Sequence, residues 1–248
     1  IFIIPDTTIT QSCGQKRIMA TIKFPGKVSI SLLLDPDKIQ EGELHNILDV
    51  AVRSGVDYIM TGGSLTFRSI DDLIRSVKAY CGIPVVLFPG NLLQLSREAD
   101  IVMLLSLISG RNPELLIGNH VIAAPHLRNI RDKLISVGYI LIGCGSKTSV
   151  EYISQTEAIP CDKPDIATAT AMAGEMLGLS MIYLEAGSGA SGSVPVKVIS
   201  AVRENITLPL AVGGGIRSKS EITEIYKAGA DMIVLGNGCE KNPALLAE

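Results

Sequence analysis

The sequence predicts an α/β chain folded as a (β/α)8 TIM barrel with an irregular third βα unit. Three observations carry this expectation. Eight short runs rich in Val, Ile and Leu recur from residue 28 onward, near-continuously apolar as strands covered on both faces must be. Amphipathic stretches of about 10–15 residues separate most of these runs, which is the crossover that parallel strands need. Glycine-rich turns follow one run after another, at the strand ends where such barrels bind ligands.

The composition agrees. A chain of 248 residues suffices for one barrel, and folding buries roughly 70–75% of the unfolded surface at this size. Hydrophobic residues make up 47% but aromatics only 4%, with no Trp, so the core is aliphatic. The 22 Lys+Arg against 25 Asp+Glu leave a net charge of −3, which argues against a broad nucleic-acid or anionic-membrane surface. Mean hydropathy is high at +0.36, yet no run approaches the roughly 20 residues of a membrane span. The longest, residues 30–34 and 101–105, are broken within a few residues. The five cysteines (Cys13, Cys81, Cys144, Cys161, Cys239) are scattered, with no CxxC and no zinc-ligand spacing. The apolar start at Ile1 to Ile4 is too short for a signal peptide. A reducing, cytoplasmic setting is therefore expected.

The elements follow in order. Strand one (28–34) runs into Asp35-Pro36-Asp37 and a helical pattern through Leu44, Ile47, Leu48, Ala51 and Val52. Strand two (56–60) ends in Gly62-Gly63-Ser64, before a helix carrying Ile70, Leu73, Ile74 and Val77. Strand three (84–88) is followed only by residues 89–99, too few for a normal crossover helix. Strand four (101–105) precedes a long connection, 106–137, holding Gly110-Arg111-Asn112-Pro113 and Pro125. Strand five (139–142) ends in Gly143-Cys144-Gly145. Strands six (181–184), seven (208–212) and eight (232–235) complete the barrel. Residues 28–248 read as a single TIM-barrel catalytic domain, and residues 1–27 as a segment capping it.

The strand ends carry the chemistry. Gly213-Gly214-Gly215-Ile216 after strand seven and Gly236-Asn237-Gly238 after strand eight stand at the usual phosphate position of these barrels. Glycine exposes backbone N–H groups there, and a following helix start adds a positive dipole end. Either cluster alone reads equally as a tight turn; together they point to a phosphate ligand. Glu185 lies between an apolar strand and Ala186-Gly187-Ser188-Gly189-Ala190, placed as a general base, with a helix N-cap as the plainer alternative. Ser-His-Asp catalysis is unsupported, since only His45, His120 and His126 exist and His45 lies inside a helical pattern. Asp35 ends strand one and, with Ser64, is a candidate for Mg²⁺ when phosphates and waters supply the other ligands. A helix-capping Asp35 competes equally.

These strings together resemble the geranylgeranylglyceryl phosphate synthase family, including its bacterial relatives. The match rests on Leu34-Asp35-Pro36-Asp37-Lys38, Gly62-Gly63-Ser64, Phe88-Pro89-Gly90, Gly118-Asn119-His120-Val121 and Gly145-Ser146-Lys147-Thr148-Ser149-Val150-Glu151-Tyr152. It continues through Tyr183-Leu184-Glu185-Ala186-Gly187-Ser188-Gly189-Ala190, Val212-Gly213-Gly214-Gly215-Ile216-Arg217 and Gly236-Asn237. The resemblance implies a prenyltransferase that joins a prenyl diphosphate, twenty carbons by default, to the 3-hydroxyl of sn-glycerol 1-phosphate. It implies that Asp35 and Ser64 hold Mg²⁺ with the diphosphate. Tyr183, Leu184, Glu185, Ala186, Gly187, Ser188, Gly189, Gly213, Gly214, Gly215, Gly236 and Asn237 would bind the glycerol phosphate, with Glu185 the base. It further implies a missing third helix, a groove for the prenyl tail with Leu92, Leu93, Leu95, Leu104 and Leu105 as candidates, and a dimer or hexamer. No membrane span is expected, only transient membrane contact for product release.

Two rivals remain at this point. A sugar-phosphate isomerase barrel explains the glycines after strands seven and eight, but not the Glu-Ala-Gly-Ser-Gly loop. A non-catalytic phosphate-binding barrel leaves Glu185 and Asp35 without a task.

Overall fold

The computed structural model describes residues 22, 28–40, 42–143, 145 and 147–236. Eight parallel strands close on themselves: β1 Ser29–Leu34, β2 Tyr58–Thr61, β3 Val85–Leu87, β4 Ile101–Leu107, β5 Leu134–Gly143, β6 Met181–Glu185, β7 Leu210–Gly213 and β8 Met232–Leu235. Each pairs with its chain neighbour, and β8 returns to β1 with Ile233 opposite Ile30. A two-residue segment, Ile159–Pro160, extends the edge of β5.

The two-residue period of the strands sorts the side chains into two layers. Along β6, Ile182 and Leu184 pack outward under the helices, whereas Met181 and Tyr183 fill the barrel interior. The same alternation sends Leu32 and Leu34 outward and Leu33 inward on β1. Glu185 and Asp35 are the next inward residues of their strands. This register aims both carboxylates at the barrel mouth.

Helices α1 Glu43–Arg53, α2 Ile70–Tyr80, α3 Asn119–Leu127, α4 Ser149–Ser154, α5 Pro164–Met176, α6 Val196–Arg203 and α7 Lys219–Lys227 wrap the outside. Helix α2 illustrates why they form. Ser69 caps it by accepting the Asp72 N–H at 3.2 Å, and Ile70, Leu73, Ile74 and Val77 make a buried stripe at helical spacing. Burying each such side chain contributes roughly 1.5–3 kcal/mol. No helix among the described residues is long and apolar enough to cross a membrane.

One expectation is met and two departures from expectation have physical causes. After β3 the chain makes only the 3-10 turn Leu92–Gln94, as the shortness of residues 89–99 requires. The connection after β4 is more ordered than expected: a π-helical turn Glu114–Gly118, then α3, then the 3-10 segment Arg128–Lys133. Strand β5 begins five residues before the predicted 139, at Leu134, because Gly138 lies within it and does not break it. A β-carbon at Gly138 would come within 2.9–3.0 Å of Ile108, Ile182 and Leu179, so glycine here serves packing. Of residues 1–27, Ile22 is buried with the interior cluster of Tyr58, Met60 and Ile101; the rest of the expected capping segment lies outside the described residues.

Candidate active site

A cavity of about 960 Å³ opens at the C-terminal end of the barrel. Its wall includes Asp35, Gly62, Gly63 and Ser64 from the loops after β1 and β2, and Tyr183, Glu185, Ser188 and Gly189 from β6 and its loop. Gly214, Gly215 and Gly236 complete the opposite side. The fold thus brings these residues to one place, whereas Leu184, Ala186, Gly187 and Gly213 are buried and do not line the cavity. Asn237 and Ser146 lie outside the described residues.

Glu185 is the buried centre of the site, 6% exposed. Its Oε1 accepts the Gly187 N–H at 2.7 Å. Burial pushes the carboxyl up to about 7, against the Gly187 N–H and the nearby Tyr183 hydroxyl, which favour the charged form. No hydrogen bond of ordinary geometry closes on the Tyr183 hydroxyl; the phenol acts on the carboxylate by proximity. Burial, and after it the Glu185 charge, raises Tyr183 and Tyr139 well above the usual tyrosine value. Both therefore remain neutral. With Phe88 their rings form a cluster of centroid spacings 5.3–5.6 Å beneath the mouth.

At Gly189, Gly214 and Gly215 the backbone opens on the cavity, whereas Gly187 is buried behind it. Gly187, Gly189, Gly214 and Gly215 all adopt φ between +69° and +98°, a region where a side chain is strained. The two loops are joined directly, Ala186 N–H donating to the Gly213 carbonyl at 3.0 Å. Arg217 joins them again: its guanidinium donates to the carbonyls of Ala190 at 2.6 Å and Ser191 at 3.1 Å. Leu184 and Ala186 bury their side chains in the outer layer, so only their backbone can serve a ligand.

Across the cavity Asp35 is 9% exposed. Its Oδ1 accepts the Asp37 N–H at 3.1 Å, and Oδ2 pairs with Lys38 Nζ at 3.0 Å. The same ammonium lies 3.4 Å from Ser188 Oγ. One cation thus spans the Asp35 side and the glycine-loop side, a role the sequence did not suggest. Among the described residues no group of three His, Cys, Asp or Glu side chains could hold a metal.

A second, apolar groove of about 260 Å³ shares Ser64, Phe88, Tyr139, Val150 and Ile153 with the cavity wall. Leu92, Leu95, Leu104 and Leu105 line it, as expected. Leu93 does not: the 3-10 turn directs it to solvent, 97% exposed. His120, also in the groove wall, shares a 3.3 Å hydrogen bond with Ser106 Oγ. Burial holds its imidazole below the usual histidine range.

Fold and site together define a phosphate-binding (β/α)8 barrel with a buried carboxylate at its mouth and an apolar side groove. The chain belongs to the PcrB family, which matches residues 27–247. It is 46% identical over 232 residues to the geranylgeranylglyceryl phosphate synthase of Spirosoma linguale, covering 93% of each chain. It is 47% identical over 227 residues to that of Chitinophaga pinensis, covering 91% of this chain and 90% of the other. The crystal structure of the (S)-3-O-geranylgeranylglyceryl phosphate synthase of Thermoplasma acidophilum, in complex with sn-glycerol-1-phosphate, superposes with a TM-score of 0.83 at 32% identity. That superposition covers 89% of this chain and 90% of the other.

Proposed function

We propose that this protein transfers a prenyl group from a prenyl diphosphate to the 3-hydroxyl of sn-glycerol 1-phosphate, forming an ether-lipid precursor and releasing diphosphate. The observation that carries this reading is Glu185, a buried carboxyl raised to about 7 in a cavity that shares a wall with an apolar groove. A sugar-phosphate isomerase would leave that groove without a purpose. The twenty-carbon geranylgeranyl chain is the length given in the names of the relatives.

The reaction follows from the residues. Backbone N–H groups of Ser188, Gly189, Gly214, Gly215 and Gly236, with Asn237, hold the glycerol phosphate so that its hydroxyl faces Glu185. Glu185 takes the hydroxyl proton as the glycerol oxygen bonds to the allylic C1. The C1–O bond to diphosphate breaks, and its electron pair leaves with the diphosphate. The Lys38 ammonium, between Asp35 and Ser188, adds positive charge where that negative charge collects. The apolar tail lies along Leu92, Leu95, Leu104 and Leu105.

Asp35 and Ser64 would hold Mg²⁺. One carboxylate and one hydroxyl suit a hard cation that takes most of its oxygens from phosphate and water. When bound, the metal neutralises the diphosphate. We further place the protein in the cytoplasm as a homo-oligomer, a dimer or hexamer. Cys81 and Cys161 are free thiols, and Ile166 and Met176 expose apolar surface about three turns apart along α5. Contact with a membrane is transient, limited to product release.

The test is incubation with sn-glycerol 1-phosphate, Mg²⁺ and prenyl diphosphates of graded length. Formation of a prenylglyceryl phosphate is expected. Binding of glycerol phosphate without product from any donor would remove this reading in favour of a ligand-binding barrel.

A further inference from the structure

The third βα unit, where this barrel departs from its own pattern, buries two polar side chains, Gln94 and Ser96, of which Gln94 reaches the neighbouring strand-end loop. The turn Leu92–Gln94 replaces a helix and carries Gln94 into the interior, 3% exposed. A buried amide needs partners, and Gln94 has three. Its Oε1 accepts the Gly90 N–H at 2.9 Å and, more loosely at 3.4 Å, the Gly63 N–H. Its Nε2 donates to the Gly63 carbonyl at 2.7 Å. Gly90 lies in the loop after β3 and Gly63 in the loop after β2. One side chain therefore clasps two strand-end loops.

The clasped peptide lies between Asp35 and Ser64. A β-carbon on Gly63 would be 2.9 Å from Asp35 Oδ2, so the carboxylate rests against bare backbone. Gly62, just before it, stands at φ +151° with its N–H on the Leu34 carbonyl at 3.2 Å. A β-carbon on Gly90 would strike the Gly63 carbonyl, so the loops meet without room for slack. Gln94 itself lines neither the cavity nor the groove. Whatever it does for a substrate, it does through Gly63 and Gly90, and of the two only Gly63 also lines the cavity.

We propose that Gln94 is a positioning residue for the diphosphate side of the site, fixing the Gly63 peptide and with it the placing of Asp35 against Ser64. The inference rests on the reading that those two residues face the prenyl diphosphate. The glycine loops after β6 and β7 are tied separately, by Arg217 and the Ala186–Gly213 bond. Loss of the clasp should therefore reach one substrate and spare the other.

Two substitutions in the full chain test this. Gln94→Glu keeps the size and the acceptor oxygen, but sets a second oxygen against the Gly63 carbonyl. Gln94→Met keeps the length and removes all three bonds, without burying a charge, and decides the matter if the Glu variant does not fold. In both, the KM for prenyl diphosphate and the Kd for inorganic diphosphate with Mg²⁺ should rise about tenfold, the effect of one or two buried hydrogen bonds. The KM for glycerol phosphate should stay within about twofold, a split that general loosening of the fold would not produce. Unchanged diphosphate affinity, a parallel rise in both constants, or unfolding of both variants would overturn the proposal. The unsubstituted chain separates the two readings: diphosphate binding without turnover counts against the transferase, whereas binding indifferent to Gln94 counts against the clasp.

Discussion

Gly214 is packed directly against Glu185: a β-carbon on Gly214 would fall on the glutamate's Oε1, and on no other side-chain atom so closely. The triple glycine therefore does more than expose N–H groups. It makes room for the carboxylate, and its φ of +82° at Gly214 excludes a side chain on conformational grounds as well.

Gly214→Ala should consequently displace Glu185 and lower turnover by about a hundredfold, the effect of misplacing a reacting group by about 1 Å. Gly236 makes the control. A β-carbon there meets nothing nearer than Leu33 at 3.9 Å, so Gly236→Ala should leave stability within about 0.5 kcal/mol. Steady-state kinetics of Gly214→Ala and thermal melting of both variants check this.

Glu185→Gln should lose about 10²- to 10⁴-fold in kcat, the range for a general base. The amide oxygen still accepts the Gly187 N–H, so glycerol phosphate binding measured by calorimetry should persist. Unchanged turnover would remove Glu185 from the base role.

The pH dependence has a definite sign. A base of pKa about 7 must be deprotonated to act, so kcat/KM should rise through pH 7 and level off above it. Stability runs the other way. The folded carboxyl holds its proton from 4.5 up to about 7 while the unfolded one releases it, so stability falls as pH rises across that window. Glu185→Gln should thus be more stable than the parent above pH 7, by up to about 3 kcal/mol, with no advantage below pH 4.5. Denaturant titrations at pH 4 and pH 8 measure it.

Much of this site was legible because strands impose a period of two. With apolar residues at 181–184, the residue ending β6 had to point inward or outward, and the glycine loop after it marked the mouth. Gly213–Gly215 were likewise legible, since few other residues suit such turns. Gln94 and Arg217 were not, because their partners are backbone atoms of separate loops and leave no pattern in the sequence. Residues 114–133 hid their helical turns behind Pro113, Gly118 and Pro125, which break the periodicity that marks a helix. Gly138 stood just outside the expected strand, yet it lies inside β5 where Ile108, Leu179 and Ile182 leave no room for a side chain.

Chelation should separate the two substrates. Removing Mg²⁺ should abolish turnover while leaving glycerol phosphate affinity within about twofold, because the glycine loops bind that phosphate through backbone donors. Asp35→Asn should raise the Mg²⁺ concentration needed for half-maximal rate by about tenfold, the scale of one charge-assisted contact. A metal titration of both proteins checks this.

The most direct test follows one oxygen atom. sn-Glycerol 1-phosphate carrying oxygen-18 at its 3-hydroxyl is incubated with the protein, Mg²⁺ and geranylgeranyl diphosphate, and the products are analysed by mass spectrometry. Prenyl transfer to the 3-hydroxyl retains the label in the ether linking glycerol to the prenyl C1, with unlabelled diphosphate released. No labelled ether, or label recovered in the diphosphate, would contradict it.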